Sequence, residues 1–527
     1  MTSVPRFYLH SDGNFLYVSH PPLTEEQFLY ETVGWLTGTQ VDGIICHMFT
    51  VGDCSPLFPH DYAAAQTVFP DKAMSVFTWK GIRNLQALLQ FPRDPWALAI
   101  EQSHAEGKPF WGAMRFNDGH SGQHGMRSQF GIDHPEYRLG ERCANDNHDP
   151  DPDGHIPPCR HLDFSIPAVR QHQLRLVEEL CGRYDVDGFE LDFTRDCGHN
   201  FPHNLPEPGA TILSAHVRQI GELLDRIGTQ RGRKIDFGAR VPGTLAACHA
   251  ADLDVNHWVA EGLVDVLTPT VYYDTACELP FDSFVDLARD RNCLVYASVT
   301  EGVGPGRFRP PPAEAVRGAA LNAWRQGVAG INLFNFHHHQ IANRLQDMTL
   351  LGELGSVDTL ARKDKLYMLA EIGVPSQSRF FGKSYQSAHP HQLPAELHNA
   401  GDSLLLSLPV GDDLELARRE RVLATLDLKL DFCHLTGDEQ LQLTINGIDI
   451  PLHEGHVNVG QQYPWNWNGH FGHLEIGLDL LPRDCIQQGE NEFTLTLHKR
   501  PADILQPLAL YSLRLEVRYQ ALPMGLG

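Results

Sequence analysis

Residues 166–193 read IPAVRQHQLRLVEELCGRYDVDGFELDF. The first part places Val169, Leu174, Leu176, Val177, Leu180 and Cys181 among Arg, Gln and Glu, an apolar stripe at helical spacing, and predicts a helix over 166–184. After it the period changes. In GFELDF (188–193), Phe189, Leu191 and Phe193 share one face, while Gly188, Glu190 and Asp192 share the other. Alternation of that kind is a strand with one aromatic and one acidic face. A long amphipathic helix feeding a short strand is half of a βαβ unit, which argues a parallel sheet covered by helices.

Outward from this stretch the same alternation runs from residue 6 to about 350. Apolar runs at 6–12, 41–49, 108–118, 188–193, 234–241, 264–274, 293–301 and 330–336 predict eight strands. Helical patterns at 24–37, 95–106, 166–184, 212–227, 253–261, 281–291 and 312–326 separate them. Eight strands and seven intervening helices fit an α/β fold of the closed (β/α)8, or TIM-barrel, type. An open doubly wound sheet would need a Gly-rich phosphate loop after the first strand, where the chain reads HSDGNF. Two long loops, 50–94 and 119–163, follow strands and are expected over the C-terminal face, where a barrel carries its site. Beyond 355 the texture turns to period-2 runs separated by turn residues such as Asn446-Gly447 and Gly489-Glu490-Asn491. The expected organisation is a barrel over 1–355, a linker over 356–380 and an all-β sandwich over 381–527.

The bulk numbers bound the function. The chain has 527 residues, 42% of them hydrophobic and 20% charged, enough for a large core. A formal net charge of −24 repels nucleic acid and anionic membrane surfaces, and no apolar run is long enough to span a bilayer. The opening MTSVPRFYLHSDGN has no basic segment leading into an apolar one. The 11 cysteines include no CxxC and read as reduced thiols, so a cytoplasmic location is expected. The chain could form a homo-oligomer, although no interface is legible.

Candidate site residues are those that end each strand and point inward. Strand four offers Glu190 and Asp192, two acids whose proximity splits their pKa values as acid/base chemistry requires. Strand seven ends in Glu301, a second carboxylate across the mouth, with Asp274 of strand six as its rival. Around them stand His10 and Asp12 of strand one, His47 of strand two, Arg115 and Asn117 of strand three and Arg240 of strand five. Tyr272, Asn335 and His337 complete a polar lining suited to a sugar. No metal is expected. His10-Ser11-Asp12 lacks the HxH of barrel metallohydrolases, adjacent His337, His338 and His339 cannot converge on one ion, and the loop opening at Asp149 has Arg160 where a calcium loop needs Glu. No cofactor is implied. The aromatic stretch 463–469 (YPWNWNG) is read as part of a seam between domains rather than a sugar platform.

The stretch 162–196 resembles the family-10-like glycosyl hydrolases of bacteria, in which such a helix leads into a YDVDG-x-x-x-D strand. The shared residues are Tyr184, Asp185, Val186, Asp187, Gly188 and Asp192. The resemblance implies a (β/α)8 fold and carbohydrate chemistry without specifying a sugar. Barrel glycosidases with acids on strands four and seven carry an Asn-Glu pair on strand four. Here Phe189 precedes Glu190, which favours Asp192 with an acid from strand five, six or seven. The expected activity is hydrolysis of an oligosaccharide or glycoside by a pair of carboxylates. The alternatives are a carbohydrate-binding barrel that does not hydrolyse, and a lyase or isomerase on the same fold.

Overall fold

Each of the eight apolar runs falls on a strand of one closed barrel: β1 (Phe7–Ser11), β2 (Gly43–His47), β3 (Phe110–Arg115), β4 (Gly188–Asp192), β5 (Asp236–Pro242), β6 (Val266–Thr270), β7 (Leu294–Val299) and β8 (Gly330–Phe334). Neighbours pair in parallel in chain order, and β1 pairs with β8 to close the ring. The computed structural model describes residues 4–50, 52–73, 75–119, 127–140, 159–194, 198–202, 204–271, 275–300, 312–336, 347–370, 392–452, 455–462, 470–476 and 481–520.

Why these segments are strands is visible in their two faces. The outward residues, such as Phe189 and Leu191 of β4 or Phe237 and Ala239 of β5, join the large apolar core beneath the helices. The inward residues near the strand starts, Tyr8, Ile45, Trp111, Ala113, Val266 and Tyr296, form a separate cluster that plugs the lumen. Glycines make room for its rings: a Cβ on Gly43 would run into the Tyr8 ring, one on Gly188 into Trp111, and one on Gly330 would lie 2.6 Å from Tyr296.

Three aspartates tie the strand starts together. Asp42, Asp187 and Asp265 each follow a buried valine and precede an even-numbered strand. Each accepts a backbone N–H from the preceding odd strand: Asp42 from Phe7 (2.8 Å), Asp187 from Phe110 (2.8 Å) and Asp265 from Phe237 (2.9 Å). Asp185 and Asp187, prominent in the YDVDG motif, therefore lie at the N-terminal end of β4, the end opposite Asp192.

The helix of the opening stretch runs Pro167–Arg183. The other predicted helices lie at Glu25–Thr32, Pro95–Ala105, Gly209–Arg231, Val255–Ala260, Phe281–Ala288 and Ala313–Arg325. Local signals fix several ends: a Thr24–Gln27 capping box, Asp94 capping a helix with Pro at its first position, and Gly232 at φ 78° closing Gly209–Arg231. A further helix, Val76–Leu88, occupies part of the segment expected as a loop. Ser75 caps it, and Ile82, Leu85 and Leu88 bury its core side. Its first turn exposes Val76, Phe77 and Trp79, which breaks the helical stripe in the sequence. The two long connections are braced against each other. Thr67–Val68 pairs with Arg127–Ser128, and buried Asp53 accepts Arg138 at 2.8 Å and the Ser128 N–H at 3.1 Å.

The C-terminal part is built of antiparallel sheets, with one short helix, Leu414–Arg419, between strands. One sheet runs in the order Lys365–Leu369, Leu508–Tyr519, Leu423–Cys433, His470–Ile476, His456–Gln462, with Ala395–Leu397 also paired to Leu508–Tyr519. The other runs Ser403–Val410, Gly489–Lys499, Gln440–Ile445, Ile448–Ile450. Both contribute to one apolar core. The strand Lys365–Leu369 falls inside the stretch expected as a linker: KLYML alternates, and its Tyr367 and Leu369 enter the sandwich core. Among the described residues no helix is long and apolar enough to cross a membrane, and no disulfide forms.

Candidate active site

Above the aromatic plug the lumen turns polar. β4 sends Glu190 and Asp192 inward, as its alternation requires, and both are fully or almost fully buried. β5 is in register with Asp192 opposite Arg240. The Arg240 guanidinium donates to Asp192 Oδ2 (3.0 Å) and Thr194 Oγ1 (2.6 Å), and its plane lies 3.8 Å from the Phe334 ring centre. Asp192 Oδ1 accepts the Thr194 N–H (2.9 Å) and hydroxyl (2.6 Å). Both carboxylate oxygens of Asp192 are thus held by fixed donors.

Two histidines stand beside the acids. His10 and His47 stack with ring centres 5.1 Å apart, and His10 meets the edge of Phe334. His47 Nε2 lies 3.6 Å from Asp192 Oδ2, and His10 Nδ1 lies 3.4 Å from Glu190 Oε1. Glu190 Oε2 accepts Thr268 Oγ1 at 3.3 Å. Both His10 nitrogens, Glu190 Oε1, Ser298 Oγ and both amide atoms of Asn332 have no hydrogen-bond partner among the described residues. Several such groups gathered at one place are what a site that takes a ligand or water would present.

A second charged group closes the neighbouring quadrant. Arg115, at the end of β3, donates to Asp118 (2.7 Å) and Asp12 (3.1 Å). Asp12 also accepts Asn335 Nδ2 at 2.8 Å, and Asn335 sits at φ 54°, a left-handed conformation that Asn tolerates. The Asn117 carboxamide is taken up by loop backbone, at Leu162 O (2.9 Å), His199 O (2.8 Å) and Leu162 N (3.0 Å).

These surroundings drive the two β4 acids apart. Burial, reinforced by the negative Asp192, pushes Glu190 up to about 8, so it is mostly protonated at neutral pH. Burial acts on Asp192 in the same sense, but Arg240 and then His47 outweigh it and hold Asp192 well below the usual carboxylate range. His10 is lowered by burial and then by His47 and Arg240, and His47 is lowered by burial, so both imidazoles are neutral. One carboxyl keeps a proton and its neighbour two residues on is ionised, the division of labour acid/base sites use.

The structure thus brings together His10, His47, Glu190, Asp192 and Arg240, with Asp12, Arg115 and Asn335 alongside. Asp274, Glu301, Tyr272 and His337 lie outside the described residues, as do the loop 149–154 and the stretch 463–469. Sequence reasoning passed over Thr194, Asp118, Thr268, Ser298, Asn332 and Phe334. For the five on β6–β8 and in the turn after β4, period-2 alternation carried through to every strand end would have found them. Asp118 had no such signal, since it acts from a loop. Among the described residues no group of three His, Cys, Asp or Glu is arranged to hold a metal ion.

No family model matches the chain, and no curated protein matches it. Among solved structures, the noncanonic maltogenic alpha-amylase AmyB from Thermotoga neapolitana is 11% identical over 97% of this chain and 99% of that one, with a TM-score of 0.38. The PgaB (BpsB) glycoside hydrolase domain from Bordetella bronchiseptica is 10% identical over 62% of this chain and 93% of that one, also with a TM-score of 0.38. A cycloisomaltooligosaccharide glucanotransferase from Paenibacillus sp. is 10% identical with a TM-score of 0.32; the match covers 97% of this chain and spans 57% of the length of that enzyme. These structural neighbours are carbohydrate-active enzymes, but likeness at this level carries no argument about activity, which has to come from the side chains at the barrel mouth.

Proposed function

We infer that the chain is a glycoside hydrolase acting on an oligosaccharide or glycoside at the C-terminal face of its barrel. The observation that carries this reading is the split pair on β4: Asp192 fixed and ionised by Arg240 and Thr194, Glu190 beside it holding a proton. A carboxylate held so far below its usual range cannot donate a proton at neutral pH. It can attack an anomeric carbon or orient a water, and it can offset the positive charge that builds on the sugar in the transition state. The proton for the leaving oxygen then comes from a second acid. Glu301, at the end of the β7 run in the sequence, is proposed for that role, with Asp274 and Glu190 in reserve. His10, His47, Asp12, Arg115 and Asn335 would hold the sugar hydroxyls.

One feature favours a second reading. Both oxygens of Asp192 are already engaged, which suits a barrel that binds carbohydrate without cleaving it. Hydrolysis of α- and β-aryl glycosides, measured for wild type, Asp192→Asn and Glu301→Gln, separates the two. The hydrolase reading expects cleavage of one anomer and losses of about 10²-fold or more in both variants. Retention of wild-type rates in Asp192→Asn overturns it. Sugar binding without turnover, unchanged in Asp192→Asn, establishes the binding barrel instead.

A further inference from the structure

A second cavity, of about 710 Å³, opens at the opposite, N-terminal end of the barrel. The aromatic plug lies between it and Asp192, and its lining includes none of the polar residues around Asp192. Tyr8 and Trp111, with ring centres 5.8 Å apart in edge-to-face contact, form its floor. Both are more than nine-tenths buried, at 5% and 3% exposure. Neither the Tyr8 hydroxyl nor the Trp111 indole N–H has a protein hydrogen-bond partner among the described residues, and neither is among the sealed, unpartnered atoms: both open on the cavity.

That is out of keeping with the rest of the chain. The indoles of Trp35, Trp96, Trp258 and Trp324 all donate, to Glu31 O, Leu57 O, Ser214 Oγ and Leu354 O, at 2.9–3.1 Å. Tyr296, beside Tyr8 in the same plug, donates to Pro5 O at 2.6 Å. Buried Tyr and Trp normally find a partner within the protein; here both donors open on the cavity, where water or a ligand hydroxyl can meet them.

The rim limits what that ligand can be. Its bases are committed to their own acids: Lys108 to Glu106 (2.7 Å), Arg233 to Asp185 (2.5 Å), Lys234 to Asp236 (3.2 Å). Asp42 and Asp236 keep spare acceptor capacity, and burial raises the pKa of both. An anion would accept from the floor but meet Asp42, Asp187 and Asp236 at close quarters. An organic cation would satisfy the carboxylates but leave the indole N–H unmet. A hydroxyl both accepts and donates, and several on one small neutral frame answer floor and rim together. The volume is that of a small-molecule site. We propose that this cavity is a second, non-catalytic binding site for a neutral polyhydroxylated small molecule. It stands independently of the activity assigned to the other face.

The test follows the Trp111 indole N–H resonance in the ¹⁵N-labelled full chain, one of eight tryptophans. Trp111→Phe assigns it by loss. Should that variant not fold, Tyr8→Phe, which removes one hydroxyl and keeps the ring, assigns it by the shift it causes. The probes are D-glucose, D-galactose and myo-inositol. The expected result is a saturable shift of this resonance with at least one probe, weakened about tenfold or more by Asp236→Asn and unchanged by Asp192→Asn. A resonance that stays still under all three probes, a response indifferent to Asp236→Asn, or one abolished by Asp192→Asn overturns the proposal.

Discussion

At the scale of single residues, Glu190 carries the clearest consequence. Unfolded, its carboxyl loses a proton near 4.5; folded, it keeps it to about 8. Between those values the native state binds the extra proton, so the protonated side chain's contribution is complete below about pH 4.5 and is lost as pH rises through about 8. Glu190→Gln has no such proton. The stability of the variant relative to wild type should therefore rise across this window by up to about 1.4 kcal/mol per pH unit and level off above it. Denaturant titrations of both proteins at a series of pH values measure this, and a difference that does not vary with pH would show Glu190 ionising normally. The facing of Glu190 and Asp192 was legible in GFELDF, because period 2 alone assigns the two faces of a strand. What holds Asp192 ionised was not: it depends on which residue of β5 lies in register with it, and register is a property of the closed sheet.

At the scale of elements, the lumen plug is a set of rings seated over glycines. A Cβ on Gly188 would run into Trp111, whereas one on Gly238 would meet a single ring carbon at 2.8 Å. Overpacking of this kind costs about 1–3 kcal/mol. Gly188→Ala should be destabilising by an amount in that range or larger, and Gly238→Ala by less, read as a drop in the urea midpoint at constant m. Equal, small effects would mean that Trp111 has room to turn. The strands themselves were the easy part of the sequence. A parallel strand buried on both faces reads as an apolar run, and all eight runs fall on barrel strands. Val76–Leu88 escaped for the opposite reason: a helix that shows Val76, Phe77 and Trp79 to solvent has no clean stripe to read. The YDVDG motif misleads in another way. Its Asp187 is a tie between strand starts, and only Asp192, at the far end of β4, belongs to the mouth.

At the scale of the whole molecule, the barrel and the sandwich meet through the helix Ala313–Arg325. Asn322, almost fully buried, donates to Cys277 O (3.0 Å) on the barrel and Pro409 O (2.9 Å) on the sandwich, and Arg325 donates to Gly411 O (3.2 Å). Gly318 sits where the strand Lys365–Leu369 crosses this helix; a Cβ there would lie 2.7 Å from Leu366 O. In an isolated helix Gly→Ala stabilises by about 1 kcal/mol. Here the methyl has to push a backbone carbonyl of the sandwich away, so the sign should reverse. Gly221, in the middle of Gly209–Arg231, is the control, because its nearest neighbour to an added Cβ is 3.6 Å away. Calorimetry should show Gly221→Ala at or above the wild-type melting temperature and Gly318→Ala below it. If the seam couples the two units, Gly318→Ala should also split a single wild-type transition into two, because the barrel keeps its own core when the sandwich is displaced. A Gly318→Ala protein that melts later than wild type would show the helix and strand standing further apart than their contacts indicate.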